Sequence, residues 1–256
     1  VVVSALKGVT DQILVFLTQP KTNPQPLIEN LLQRHLAILV AAEVKEPWLQ
    51  TAKTELTGIL ASLKNDLIAR APGPVAAKDE DKIAAYGEKL GAMVLTGYLN
   101  AFDLLATKIL AEDIPIVTDN NFKNADIDYP ATEVNIRKKL LPMTVIPVVP
   151  GFTGRTPDGQ TTTLGRGGTD TTACLVAAAL RAEKVILWKD VAGVLMADPK
   201  IAPDATTLPC IDYDTAEKVG KVIHSKAIQY IKLYRTPAEI IYIVDPKLKT
   251  IIGPRI

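Results

Sequence analysis

Short apolar runs alternate with helical segments along the second half of the chain, and this alternation limits the possible folds more than any other feature. The runs typical of strands are IPIVTD, TVIPVVPGF, KVILWKD, AEIIYIVD and TIIG. Between them lie a short helical segment near 134–141 and the longer helical stretches TDTTACLVAAALRAE, YDTAEKVGK and HSKAIQYIKLYR. Strands that alternate with helices form a mostly parallel sheet covered on both faces, and the opening run VVVSA predicts one more buried strand.

The first half of the chain is mainly helical. VTDQILVFLTQ predicts a helix capped by Thr10 or Asp11, and two amphipathic helices are expected at about 26–43 and 47–69. The proline- and glycine-rich loop RAPGPVAAKDEDK ends this region.

A long helix is expected at about 81–107, with Ile83, Leu90 and Val94 on its apolar face. Glu88 lies on another face, among small residues that leave room for a ligand. A lone helical glutamate is more often a solvated surface residue. The sequence therefore leaves two interpretations of Glu88 open, a ligand-binding acid and a surface residue.

Composition narrows the class of protein. The chain has 256 residues, of which 48% are apolar, enough for one large α/β domain or two small ones. The formal net charge of +1 argues against a general binder of nucleic acids or membrane surfaces. Cys174 and Cys210 lie far apart, which argues against a zinc site and indicates reduced thiols in a cytosolic protein. We expect no signal peptide and no membrane span, because LAILVAA is too short to cross a bilayer.

The stretch TTTLGRGGTDTTA predicts an anion-binding turn. Its glycines follow a strand that ends near Phe152 and precede a helix that begins near Thr169. A turn without Cβ atoms lets backbone N–H groups approach a ligand, and the helix N-terminus adds partial positive charge. Arg166 supplies a planar fork for a carboxylate or phosphate, while Thr169 or Asp170 can cap the helix. The motif is neither a P-loop nor a dinucleotide fingerprint, and an ordinary strand-to-helix turn is an equal alternative.

A polar segment follows the strand KVIL. Lys189, Asp190 and Asp198 lie where parallel strands carry function, and they suit the phosphates, ribose and base of a nucleotide. A polar surface hairpin is an equal alternative. Lys221 follows Gly220 at another element boundary, where a single lysine is more often an ordinary surface residue.

These motifs together resemble the aspartokinases, which belong to the amino acid kinase family. VVVSALKGVTD, YGEKLGA, TTTLGRGGTDTTA, VILWKDVAGVLMADP and GKVIH occur in the order found there, over nearly the whole chain. The resemblance implies an α/β fold, a three-layer αβα sandwich around a mostly parallel sheet of roughly eight strands. It also implies a homodimer, ATP and Mg²⁺ as cofactors, and phosphorylation of the L-aspartate side-chain carboxylate to 4-phospho-L-aspartate.

The resemblance assigns roles to residues and divides the chain into halves. Residues about 1–170 would form the amino-acid half, with a helical insertion at 25–70, and about 171–256 the nucleotide half. By resemblance, Ser4 and Thr10 supply hydroxyls of the substrate loop, Glu88 binds the substrate amine and Arg166 binds a substrate carboxylate. Asp170 would organise the reacting centre, Lys189, Asp190 and Asp198 would contact the nucleotide, and Lys221 would approach the phosphates.

Some family features have no counterpart in the printed sequence. These are an opening strand ending KFGGTS, without which we expect little or no turnover, and C-terminal ACT domains. HSKAIQYIKLYR also lacks the family's usual His-Pro after the lysine. The alternatives are another amino acid kinase, acting on glutamate, acetylglutamate, carbamate or uridylate, and an inactive dimerisation or binding module. Glu88 and Arg166 favour aspartate, and we expect a cytoplasmic protein, or a plastid one if the source is a plant.

Overall fold

The chain folds into two compact units, Val1–Gly165 and Arg166–Ile256. The structure, a computed structural model, describes residues 1–19, 23–69, 73–114, 116–195, 206–219 and 222–254. None of the helices within these ranges is long and apolar enough to cross a membrane.

Helices dominate the first unit. They are α1 (Val9–Leu17), α2 (Gln25–Ala41), α3 (Trp48–Ala69), α4 (Ala77–Ala101) and α5 (Tyr129–Leu140). Helices α1, α2 and α3 all pack against α4, and their shared core includes the fully buried Ile13, Leu31, Leu56 and Leu90. The two predicted amphipathic helices, α2 and α3, are confirmed, because each presents one apolar stripe to this core.

Several predicted helix ends are wrong, and α4 and α5 begin at Ala77 and Tyr129 instead of near 81 and 134. Gly8, in a left-handed conformation with φ 78°, occupies the N-cap of α1, and no side chain caps that helix, neither Thr10 nor Asp11. Helix α4 ends at Ala101 instead of near 107, because Asp103, at φ 59°, turns the chain into a strand.

Two small sheets complete the first unit. Strands β1 (Val2–Val3), β3 (Ile146–Pro150) and β2 (Ala106–Lys108) form a parallel sheet in the order β1-β3-β2. Strands β4 (Thr153–Arg155) and β5 (Thr161–Thr163) form an antiparallel hairpin. The threonines before the glycine turn are therefore a strand, which corrects the expectation that the turn directly follows the strand near Phe152. Within the described residues, IPIVTD contributes only isolated bridges.

The second unit packs helices on a mixed sheet. Its elements are α6 (Gly168–Leu180), β6 (Val185–Lys189), β7 (Cys210–Asp212), α7 (Tyr213–Val219), α8 (Ser225–Leu233), β8 (Ala238–Tyr242) and β9 (Lys249–Gly253). The strand order is β6-β8-β9-β7, with β8 and β9 antiparallel and the other pairs parallel. The predicted α/β class is confirmed, while the described strands belong to three sheets instead of one eight-stranded sheet.

Candidate active site

Helix α4 buries the acid that the sequence singled out. Glu88 is only 3% exposed, and its Oε2 atom has no hydrogen-bond partner within the described part of the chain. Burial raises the pKa of Glu88 to about 7, although the backbone N–H groups of Glu88 and Ala5 lower it. The surface position that a helical glutamate usually occupies is thereby excluded.

Two glycines of α4 bring the start of the chain against Glu88. A Cβ atom on Gly87 would lie 2.9 Å from Thr10 Oγ1 and 3.0 Å from Ala5 Cβ, and one on Gly91 would overlap the carbonyl oxygen of Ser4. Only glycine allows this close approach of helix and backbone. The opening segment with Ser4 and Thr10 therefore packs on α4, and its Ala5 backbone N–H reaches the Glu88 carboxylate.

This face of α4 is suited to a cationic ligand group. A buried carboxylate oxygen without a partner costs free energy unless something pairs with it. An ammonium group would provide that partner, and it would also favour the ionised form of Glu88.

A second acid of α4, Asp81, was missed by the sequence analysis. Asp81 is 2% exposed and accepts three hydrogen bonds. Its Oδ2 receives the backbone N–H of Lys123 at 2.9 Å and that of Thr163 at 2.8 Å, and its Oδ1 receives the Thr163 hydroxyl at 2.8 Å. Nothing in the sequence singled out Asp81, because it lies in the charge cluster KDEDK, whose other members are surface residues.

Strand β5 leads from this contact into the glycine turn. Gly165 has φ 73°, and a Cβ atom there would lie 2.7 Å from Asn124 Oδ1 and 3.1 Å from the carbonyl oxygen of Lys123. The Thr162 hydroxyl lies 2.7 Å from that of Thr118, inside the unit. The threonine hydroxyls of β5 therefore serve internal packing, and the glycine is required by backbone conformation and by its neighbours.

The second unit starts with helix α6, whose N-terminus has no side-chain cap. Gly167, at φ 74°, is the N-cap of α6, and a Cβ atom there would lie 2.6 Å from His224 Cβ. No side chain caps α6, so the expectation that Thr169 or Asp170 would do so is wrong. Within the described residues, the backbone N–H groups of 166–170 have no partner, and the first to bond is Thr171, to the Gly167 carbonyl at 2.9 Å. Free N–H groups at a helix N-terminus favour anions.

Asp170 forms an ion pair instead of a cap. Its Oδ2 lies 2.5 Å from Lys189 Nζ, and the two side chains are 15% and 22% exposed. Lys189 ends β6, so this contact joins the first turn of α6 to the carboxyl end of a parallel strand. The structure thus brings together Asp170 and Lys189, which the sequence had placed in separate motifs.

The other predicted site residues stand apart or lie outside the described ranges. Arg166 and Asp190 are exposed, and within the described residues Arg166 has no side-chain hydrogen bond or ion pair. Asp198 and Lys221 lie outside the described residues. The Cys174 thiol is fully buried, and burial together with the charge of Asp170 raises its pKa, so it is not a thiolate at neutral pH.

The backbone of Phe152 adopts a strained conformation that the sequence did not predict. Phe152 has φ 67°, which is rare for an aromatic residue, and it follows Gly151 at the carboxyl end of β3. Such strain is retained only where the surroundings impose it, and here the Phe152 carbonyl accepts the N–H of Leu164 at 2.9 Å. Local composition cannot reveal a conformation that is set by a partner strand.

A charged cavity lies elsewhere on α4, and none of the predicted site residues lines it. Its volume is about 540 Å³, and its walls include Asp66, Lys82, Lys89 and Glu112. These charges largely neutralise one another, since Lys82 lies 2.6 Å from Asp66 and Lys89 lies 2.7 Å from Glu112. Neither of these pairs resembles Glu88, whose Oε2 has no hydrogen-bond partner within the described part of the chain.

The described side chains do not form a metal cage. Within the described residues, no group of three or more His, Cys, Asp or Glu side chains is placed to hold an ion. Magnesium commonly retains several waters and binds through substrate phosphates and one or two carboxylates. Asp170, beside the free N–H groups of α6, is the described carboxylate that fits such a role.

A family model and several curated proteins match this chain. The family model described as "Amino acid kinase family" matches residues 1–242. The aspartokinase of Rickettsia felis is 34% identical over 170 residues, which cover 65% of this chain and 42% of that relative. The aspartokinase of Chlamydia muridarum is 30% identical over 233 residues, 90% of this chain and 51% of the relative. The chain thus spans about half the length, or less, of these curated relatives.

Solved structures with the same fold include two aspartokinases. Escherichia coli aspartokinase III, in complex with aspartate and ADP, has a TM-score of 0.90 at 24% identity, covering 100% of this chain and 57% of its own. The aspartate kinase of Clostridium acetobutylicum has a TM-score of 0.77 at 25% identity, covering 99% of this chain and 55% of its own.

Proposed function

The chain belongs to the amino acid kinase family, and we propose that it is the catalytic part of an aspartate kinase. In this reaction an oxygen of the L-aspartate side-chain carboxylate forms a bond to the γ-phosphorus of ATP. The bond from that phosphorus to the β,γ-bridging oxygen breaks, and the products are 4-phospho-L-aspartate and ADP. Curated relatives carry the name aspartokinase, which supports this proposal.

The unpaired Oε2 of Glu88 is the observation that carries the proposal. Aspartate and glutamate have an ammonium group that could pair with it, whereas acetylglutamate, carbamate and uridylate have none. A buried carboxylate that could pair with an ammonium group therefore favours an acceptor with a free α-amine. This argument disfavours three of the four alternative acceptors and leaves glutamate, and the relatives' names then favour aspartate over glutamate.

The remaining predicted substrate residues would bind the rest of the amino acid. Ser4 and Thr10 belong to the segment that packs on Gly87 and Gly91 of α4, and they would offer hydroxyl donors to a carboxylate. The exposed Arg166 offers a planar fork for a second carboxylate. These roles follow the resemblance and agree with the chemistry of each side chain.

The groups of the second unit suit the nucleotide phosphates. The free N–H groups at the start of α6 would bind phosphate oxygens, and Lys189, held by Asp170, would add a fixed positive charge. Asp190, Asp198 and Lys221 are further nucleotide contacts on the same proposal. Residues about 1–170 and 171–256 are then the amino-acid and nucleotide halves.

Phosphoryl transfer to a carboxylate requires few catalytic side chains. Phosphoryl transfer depends mainly on positioning and on neutralising charge, and a carboxylate acceptor is already a nucleophile. The reaction therefore needs no general base. The buried Cys174, whose pKa is raised, has no role in it. Magnesium bound to the phosphates would supply neutralising charge, and Asp170 would accept hydrogen bonds from its waters. We further propose a cytoplasmic or plastid homodimer, on the family resemblance.

Titration calorimetry and an ADP-release assay test this function. In a chain that includes the family's opening strand, we expect L-aspartate to bind and to stimulate ADP release more than L-glutamate, with N-acetyl-L-glutamate and carbamate inactive. The Glu88→Gln variant is the matched control, since it keeps the shape of the side chain but removes the charge. Preference for an acceptor without an amine would contradict the proposal. Binding of aspartate and ADP without ADP release would support the inactive binding module instead.

A further inference from the structure

Helix α4 carries Glu88 and is attached to the rest of the first unit near its N-terminus by one buried carboxylate, that of Asp81. The carboxylate contacts two separate segments, strand β5 through Thr163 and the loop at 119–127 through Lys123. In sequence, Thr163 lies 82 positions from Asp81. Asp81 thus fixes the helix against two elements that are distant in the chain, and the exposed ion pair of Glu80 with Lys123 Nζ adds a second contact to the loop.

Both of these segments contact the glycine turn. Strand β5 leads into Gly165, and the loop at 119–127 provides the carbonyl oxygen of Lys123 and the side chain of Asn124 against which Gly165 packs. The loop is held in a defined shape, since Asp119 Oδ1 accepts the N–H groups of Asn121 at 3.2 Å and of Asp126 at 3.0 Å. Movement of the Asp81 contact would therefore disturb both sides of Gly165.

Glu88 lies two helical turns further along α4, roughly 10 Å along the helix axis. Its helix position is set by two kinds of contact, the close packing of Gly87 and Gly91 on the opening segment and the hydrogen bonds of Asp81. An α-helix is stiff over two turns, so a shift at Asp81 is transmitted to Glu88. Sub-ångström placement of a ligand-binding carboxylate affects affinity strongly.

We propose that Asp81 is a positioning residue for the amino-acid site, which holds Glu88 and Gly165 in one fixed frame. It touches no ligand itself. The effect on aspartate binding rests on the proposed function, whereas the effect on the environment of Glu88 does not. The contact set suits this role, because one carboxylate receives two backbone N–H groups and one hydroxyl and so resists displacement in more than one direction.

Three substitutions separate the hydrogen bonds of Asp81 from its charge. Asp81→Asn removes the charge but can keep all three contacts, because its amide oxygen accepts both N–H groups and its amide nitrogen can donate to the Thr163 hydroxyl. Thr163→Val keeps the charge and the Thr163 N–H contact but removes the hydroxyl. Asp81→Ala removes everything.

Asp66→Ala is the matched structural control. Asp66 lies on α3 and also bonds α4 twice, through the Tyr86 hydroxyl at 2.7 Å and Lys82 Nζ at 2.6 Å. Its loss weakens the attachment of the same helix, without touching β5 or the loop at 119–127. A merely structural role for Asp81 predicts the same functional effect from both alanine variants at equal loss of stability.

Carbon-13 NMR of the Glu88 carboxyl, with urea unfolding and aspartate titration, tests the inference. We expect Asp81→Ala to move the Glu88 titration towards lower pH and to weaken aspartate binding about tenfold or more. Thr163→Val should have a smaller effect in the same direction, and Asp81→Asn and Asp66→Ala should stay near wild type in both measurements. Hydrogen exchange at the Lys123 and Thr163 amides should accelerate in Asp81→Ala.

Two results would overturn the inference. One is an unchanged Glu88 titration in Asp81→Ala. The other is an equal shift in Asp81→Asn, which would assign the effect to charge alone. If the wild-type chain does not bind aspartate, the proposed function fails, while the carboxyl titration and the hydrogen exchange still decide the role of Asp81. If Asp81→Ala does not fold, the milder Thr163→Val variant provides the decision.

Discussion

Replacing Glu88 by glutamine should stabilise the fold at alkaline pH and abolish the amino-acid site at the same time. Burial raises the pKa of Glu88 from its ordinary value of 4.5 to about 7. In the unfolded chain the carboxyl ionises near the ordinary value, so the folded state binds the proton more tightly. The contribution of this group to stability is therefore fully present below pH 4.5 and is lost as pH rises through about 7.

The size of the effect follows from the difference between these two pKa values. At pH 8 the ionised Glu88 costs roughly 3 kcal/mol relative to a group of ordinary pKa. Glutamine has the same shape and no charge, but its buried amide adds a penalty of about 1–3 kcal/mol that does not vary with pH. The stability difference between Glu88→Gln and wild type should therefore rise by about 2–3 kcal/mol between pH 5 and pH 8.

Urea unfolding of both proteins at several pH values measures this difference, and comparing slopes with pH cancels the fixed amide penalty. Added L-aspartate should stabilise the wild type at pH 8 and leave Glu88→Gln unchanged, since an ammonium group pairs only with the ionised acid. Binding of aspartate to the wild type should strengthen as pH rises through 7. A stability difference that stays flat from pH 5 to pH 8 would refute the reasoning, because Glu88 would then titrate as an exposed glutamate.

Four further outcomes are expected. Arg166→Ala should weaken aspartate binding by about 2–5 kcal/mol in calorimetry if the bound ion pair is desolvated, and unchanged affinity would remove Arg166 from the site. Asp170→Asn, assayed in an active full-length enzyme, should keep its melting temperature and ATP affinity but lose turnover by about 10²-fold or more, and near wild-type turnover would contradict that role. Gly167→Ala should cost about 1–3 kcal/mol in urea unfolding, because it combines a left-handed backbone with a steric overlap, whereas Gly58→Ala, in open space on α3, should be neutral or stabilising. His35 is fully buried, and its Nε2 has no hydrogen-bond partner among the described residues. Because burial lowers its pKa, the stability of the fold should fall as pH drops below 6.5, and the dependence of stability on pH should be smaller in His35→Leu.

Several features of this protein were determined by the sequence alone, because they depend on neighbours along the chain. Helices α2 and α3 were predictable from apolar residues that recur every three or four positions, since that spacing forms one buried stripe. The sequence also predicted the glycine turn before α6, although the left-handed conformations of Gly165 and Gly167 appear only in the structure. The family resemblance also pointed to Glu88 as a candidate, but it did not establish its environment.

Tertiary structure decided which of the charged residues matter. Glu88 and Asp81 lie in a segment rich in similar charges, and only the packing of α4 shows that both are buried and that one is unpaired. The Asp170–Lys189 ion pair and the three hydrogen bonds of Asp81 join residues that are remote in sequence. Desolvation and hydrogen bonding depend on the distance between atoms in space, and elements distant in the chain set that distance only when they pack together.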